Sequence, residues 1–218
     1  MIPLQTRKGR ALIWPRKSTK GAGRTNSITD GIFAFAMTLL VLTVVIPEVP
    51  QEVAEWQYDH ILLGLTPALL HFALGFLVLS ALWLFHHHIY DYVAKVDPAL
   101  MWYNLFTLLF VCLVPFSTQL ATTYSEYPAS IIVFDLNIFL ISCCFSLQWH
   151  RLKTRPGLLD PKMPKDQYHY TNVILGLLTL ISLVAILLAY LNIPYSGAIY
   201  LLLLTLPYME KALFGKKA

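Results

Sequence analysis

Six apolar runs, near residues 29 to 47, 62 to 85, 99 to 120, 129 to 149, 170 to 192 and 196 to 213, take up most of this 218-residue chain. A hydrocarbon core of about 30 Å needs roughly 20 such residues for each helical crossing. Backbone amides find no water in lipid, so each run must close its hydrogen bonds internally, as a helix. Charged residues make up 13% of the chain, where soluble domains carry roughly 25%. The pattern predicts an all-α integral membrane protein with six transmembrane helices. It divides into a basic N-terminal arm, residues 1–23, and a six-helix membrane domain, residues 24–218, with no room for a separate soluble domain.

Basic residues set the expected orientation. The arm through Arg24, the segments 86–98 and 150–169, and the tail hold seven, one, five and three Lys or Arg, all sixteen in the chain. The alternate connections hold none and carry Glu48, Glu52, Glu55, Asp59 and Glu126 instead. By the positive-inside rule both termini lie on the cytoplasmic side of a plasma membrane. The arm reads as a disordered topogenic segment that touches anionic lipid. No folded element accompanies its charge, so nucleic acid is not an expected partner. A cleaved signal peptide is not expected either, because the first apolar run lacks an A-x-A exit. Cys112, Cys143 and Cys144 all fall inside spans, as small buried hydrophobes rather than disulfide or metal pairs.

The stretch Arg24 to Ile46 carries the least typical polar pattern. Ser27-Ile28-Thr29-Asp30 fits a capping box and predicts a helix start there, with Asp30 at the positive end of the helix dipole. Beyond it Ile32, Phe35, Leu39, Leu42 and Ile46 recur at spacings of three and four, a heptad-like stripe. Gly31, Ala34 and Thr38 make an adjoining face small enough for close helix approach. Two readings of the stripe stay open: plain helix packing, or, with several copies around an axis, stacked apolar rings that gate by dewetting. Pro47 and Pro50 then end the helix ahead of an acidic loop reaching Asp59. That loop either concentrates cations at an outer mouth or is simply solvated.

Later runs carry fewer signals. His86, His87 and His88 end the second, yet consecutive helical residues point about 100° apart and cannot all face one ion. Trp83 and His87 share a face at a spacing of four. Asn104 and Pro115 lie in the third run, Asp135 and Asn137 in the fourth; Asp135, one or two turns from the outer end, is open to partial hydration. The connection from Arg151 to Tyr168, with three prolines, reads as a structured link. No HExxH pair, GxSxG elbow, phosphate-binding glycine loop or TVGYG carbonyl filter is present in the sequence, so no enzyme and no cofactor is expected.

The segment RTNSITDGIFAFAMTLLVL resembles the R-x-x-x-F-S-D-G signature and following helix of the transmembrane protein 175 family, the endosomal and lysosomal potassium channels, in their bacterial single-repeat form. The likeness extends to Trp83, His86 and His87, to Asn104, and to the run Pro115-Phe116-Ser117-Thr118. It implies a homotetramer of six-span subunits in a bacterial plasma membrane, passing potassium through a pore lined by the first helix. Carried over by position, it implies a hydrophobic constriction at Phe35, Leu39 and Leu42 and a cation-selectivity site at Thr38. It further implies a polar network bracing the pore helix from Arg24, Thr29, Asp30, Trp83, His87 and Asn104. Potassium, the bilayer and further copies of the chain are then the partners, with no metal beyond the permeating ion. Ile28 and Thr29 stand where the family has Phe and Ser, and Phe35 replaces a smaller aliphatic residue. The alternative is a proton- or cation-coupled transporter using Asp135, Asp30 and His71.

Overall fold

The computed structural model describes residues 20–47, 51–194 and 196–205. Six α-helices follow one another: α1 (Lys20–Leu39), α2 (Gln51–Gly64), α3 (Thr66–Tyr90), α4 (Pro98–Thr123), α5 (Pro128–Thr154) and α6 (Lys165–Tyr190). A 3₁₀ turn, Leu40–Thr43, extends α1, and a 3₁₀ helix, Ser196–Thr205, follows α6. Five described stretches are long and apolar enough to cross a membrane: Gly23–Thr43, Tyr58–Tyr90, Pro98–Thr123, Pro128–Thr154 and Lys165–Tyr190. The chain is therefore an all-helical, multi-pass membrane protein. Most of the arm and residues 206–213 of the sixth expected run lie outside the described residues.

Two expectations are corrected. The helix does not start at Ser27, since α1 is already under way at Lys20 and the Ser27 hydroxyl donates to the Gly23 carbonyl at 2.9 Å. A serine bonded to the preceding turn in this way belongs to a helix interior rather than a cap. Asp30 consequently sits three turns into α1, away from the dipole end. The acidic stretch, expected as a loop, is helical across Gln51–Gly64, and α3 follows after the single residue Leu65. The sequence QEVAEWQYDHILLG has neither Gly nor Pro before its last residue, so nothing in it breaks a helix.

Helix packing follows from where the small and branched residues fall. α4 is central, touching α1, α3 and α5, while α6 packs on α5 and the 3₁₀ helix packs on α3 and α6. Fully buried side chains of the core include Phe33, Leu40, Leu79, Leu82, Ile138, Phe145 and Trp149. Gly75 permits the closest approach, since a Cβ there would lie 3.1 Å from Thr118 Oγ1 and 3.3 Å from Leu40 Cδ2. Pro115 lies inside α4, where it removes one backbone donor and crowds the preceding turn. Asn137 of α5 donates to the Phe110 carbonyl in that turn at 3.1 Å and approaches Ser117 Oγ at 3.4 Å.

The connections that close α3–α4 and α5–α6 are tied together. The Ala94 amide donates to the Leu158 carbonyl at 2.7 Å, and the Asp160 amide to the Tyr92 carbonyl at 2.8 Å. Gly157, at φ +81°, makes the turn that brings Leu158 back. Asp97 joins the same end: Oδ1 accepts from the Leu100 amide at 2.8 Å and caps α4, while Oδ2 receives Arg151 Nε at 2.9 Å and Nη2 at 2.6 Å.

Candidate functional site

Helix α1 has two apolar faces. Thr25, Thr29, Phe33, Ala36, Leu40 and Thr43 are buried in the subunit core. Phe35 and Leu42 lie on the opposite side, 63% and 68% exposed, with Ile28 and Thr38 also exposed and Leu39 half-buried. Ile32 departs from the expected stripe and packs against the core. The small face formed by Gly31, Ala34 and Thr38 is exposed and meets no other helix among the described residues, and a Cβ at Gly31 would find open space there. Close approach within the subunit is made at Gly75 instead. In the 3₁₀ turn, residues three apart eclipse, so Leu42 stands over Leu39 instead of drifting around the axis. The Thr38 hydroxyl donates to the Phe35 carbonyl at 2.7 Å. Its proton is thereby occupied, and the oxygen lone pairs remain on the exposed face.

A polar foot lies below this face. Trp83 Nε1 donates to Asp30 Oδ1 at 3.0 Å. His87 Nε2 lies 2.9 Å from the same oxygen, out of line with a hydrogen bond. The Trp83 and His87 rings meet edge to face, 4.5 Å between centroids. Of the expected brace, Arg24 is the residue the structure does not bring in: it is exposed and forms no ion pair with Asp30 among the described residues. Asn104 and Thr29 form a second, buried link. Asn104 Nδ2 donates to Thr29 Oγ1 at 3.0 Å, and its carbonyl oxygen lies 3.1 Å from His86 Nε2. With the amide nitrogen given to Thr29, the carbonyl faces His86, so His86 Nε2 carries its proton.

From there the network reaches residues that the sequence pattern did not single out. His86 stacks on Tyr90 at 4.1 Å, the Tyr90 hydroxyl donates to Gln148 Oε1 at 2.9 Å, and Gln148 Nε2 donates to Thr107 Oγ1 at 2.7 Å. Four helices, α1, α3, α4 and α5, are thus joined through buried polar atoms. Gln148, an amide within an apolar run, was the available signal. The three histidines point to three neighbours, His86 to Asn104, His87 to Asp30 and His88 to Thr171 Oγ1 at 2.9 Å.

The residues of the alternative are not brought together. Asp135, expected to be open to partial hydration, is completely buried beside Tyr200, and neither carboxylate oxygen makes a well-formed hydrogen bond among the described residues. It is on α5, Asp30 is on α1 beside His87, and His71 is half-buried on α3.

Fold and site together define a multi-pass helical membrane protein whose first span keeps one apolar face for its own core and presents another beyond it, above a braced polar foot. The family model described as endosomal/lysosomal potassium channel TMEM175 matches residues 24–115, the stretch holding these first-span, Trp83–His87 and Asn104 motifs. A potassium channel of Streptomyces collinus is 31% identical over 84% of this chain and 89% of its own length. A potassium channel of Chamaesiphon minutus is 33% identical over 66% of this chain and 72% of its own length. The crystal structure of a lysosomal potassium-selective channel TMEM175 homolog from Chamaesiphon minutus superposes with a TM-score of 0.73 at 26% identity, covering 87% of this chain and 97% of that one. The chain belongs to the TMEM175 family, a family of ion channels and not of enzymes.

Proposed function

We propose that this protein is a potassium-selective channel that conducts passively along α1 of four subunits. Family membership supplies the channel class, and the names of the bacterial relatives favour potassium. The observation that carries the pore assignment is the direction of Phe35, Thr38 and Leu42, away from the interior of their own subunit. Around a four-fold axis, Phe35, Leu39 and Leu42 form apolar rings roughly one helical turn, about 5 Å, apart. A neck of that kind empties of water when narrow and conducts when it widens. Thr38 offers its oxygen lone pairs to a partly dehydrated cation. Thr29, Asp30, Trp83, His87 and Asn104 hold the foot of the helix, so that a change at the foot reorients the rings. Six crossings with both termini on the cytoplasmic side of a bacterial plasma membrane complete the reading, in line with the distribution of Lys and Arg.

Flux of potassium, rubidium and sodium into liposomes containing the purified protein tests it. Phe35→Ala and Leu39→Ala are each expected to change potassium flux several-fold with the oligomer intact, and Thr38→Val to lower the preference for potassium over sodium. Unaltered flux in both alanine variants overturns the pore assignment.

A further inference from the structure

The last turns of α5 and the first turns of α6 leave a groove of about 600 Å³. Its floor holds Cys143 and Leu175 with Ser146 and Thr179, and its rim holds His150, Lys153 and Asn172. The rim lies at the end of both spans, where the connection from Arg155 to Pro164 begins. A lysine at such a depth ordinarily extends freely toward water. Lys153 is held instead. Its Nζ donates to Asn172 Oδ1 at 3.2 Å and lies 5.9 Å from the centroid of the Trp149 ring. The same Asn172 oxygen accepts from Trp149 Nε1 at 3.0 Å. An ammonium has three donors, so two remain for a ligand at the mouth. No acidic residue lines the groove, and the adjoining connection adds Arg155 and Lys162 against Asp160.

A fixed cation above a largely apolar slot, at the depth where headgroup gives way to acyl chain, matches one class of molecule. We infer that the groove binds an anionic phospholipid, its phosphate on Lys153 and one acyl chain along Cys143 and Leu175. Basic pockets between spans recognise anionic headgroups by this combination of charge and depth. A second copy docking isologously would bring cation against cation, which argues for lipid as the occupant. The groove belongs to α5 and α6, whereas α1 packs on α3 and α4, so the inference stands apart from the pore reading.

Native mass spectrometry of the delipidated full-length protein decides it, with phosphatidylglycerol, phosphatidylcholine of the same acyl chains, and inorganic phosphate as probes. Wild type is expected to retain phosphatidylglycerol over phosphatidylcholine. Lys153→Gln should lose that preference by about five-fold, the ratio given by roughly 1 kcal/mol for one cation near the headgroups, and Lys153→Arg should keep it. Cys143→Trp, which fills the floor and leaves the charge, should lower retention of both lipids. Equal retention of the two lipids by wild type, or an unchanged preference in the exposed-site variant Lys153→Gln, overturns the assignment. So does inorganic phosphate binding as tightly as phosphatidylglycerol, which would mark a free-anion site. A changed oligomer mass in Cys143→Trp would make the groove a contact between copies and would equally overturn it.

Discussion

Asp97 shows how much one side chain at a span end can do. One carboxylate oxygen caps α4 and the other clamps α5 through Arg151, so a single residue sets where one helix begins and how the next lies against it. Burial acts to raise this carboxyl. The Arg151 hydrogen bond and charge, the Leu100 amide and the nearby Arg155 outweigh it and hold the group below its ordinary 3.8. A carboxyl depressed by folding stabilises the fold at pH above the unfolded value, and that stabilisation is lost as the pH falls through the lower, folded value. Asparagine caps a helix about as well as aspartate, so Asp97→Asn removes the ion pair and leaves the cap. The variant is expected to be about 1 kcal/mol less stable than wild type at neutral pH, the scale of a partly exposed pair. Thermal melts in detergent should show that gap closing as the pH falls through the depressed folded value and wild-type Asp97 takes up its proton. A gap that persists in acid would assign the loss to something other than the charge.

At the scale of elements, span positions are legible because length and apolarity decide them, and neither depends on a neighbour. The start of α1 is not legible. Ser27, Thr29 and Asp30 meet the local pattern of a cap, but each is claimed elsewhere: Ser27 by the Gly23 carbonyl, Thr29 by Asn104 and Asp30 by Trp83 and His87. A capping motif is a statement about backbone donors; tertiary partners on α4 and α3 take Thr29 and Asp30, and Ser27 bonds back within α1 itself. The same limit hides the path from His86 through Tyr90 to Gln148, whose members sit on two helices, α3 and α5. Helix contact sites are equally hard to read, since Gly31 looks suited to close packing and meets nothing among the described residues, whereas Gly75 does the packing. Gly75→Ala is expected to be nearly neutral: its Cβ meets only side-chain atoms of Thr118 and Leu40, and alanine recovers roughly 1 kcal/mol of helix propensity. Gly75→Val adds methyls with nowhere to go and should cost about 1–3 kcal/mol by overpacking. Melting temperatures of the two variants in detergent check the contrast, and no loss in either would mean that the α3–α4 contact does not limit stability.

For the whole molecule, the fate of the second face of α1 is the decisive question. Lipid alone would accept Phe35, Leu42 and Ile28, because acyl chains are as apolar as they are. It does not account for Gly31, Ala34 and Thr38 beside them. Small residues and hydroxyls in a span favour helix against helix, where backbones approach and hydroxyls find partners. Among the described residues no helix of the subunit lies on this side, which favours a partner from another copy. In a variant without its three natural cysteines, Phe35→Cys is expected to form disulfides between subunits under mild oxidation and to run as a covalent dimer. Ala36→Cys, one residue on but buried at 2% exposure in its own core, is expected to stay monomeric on the same gel. The pair separates an α1-centred oligomer from one assembled through the outer helices, in which neither thiol would find a mate. Thr38→Cys extends the test by one helical step: cross-linking at both positions 35 and 38 would place one continuous face of α1 against its copies, as a central path requires. Cross-linking at Ala36 alone would turn the helix about its axis and remove Phe35, Thr38 and Leu42 from that path.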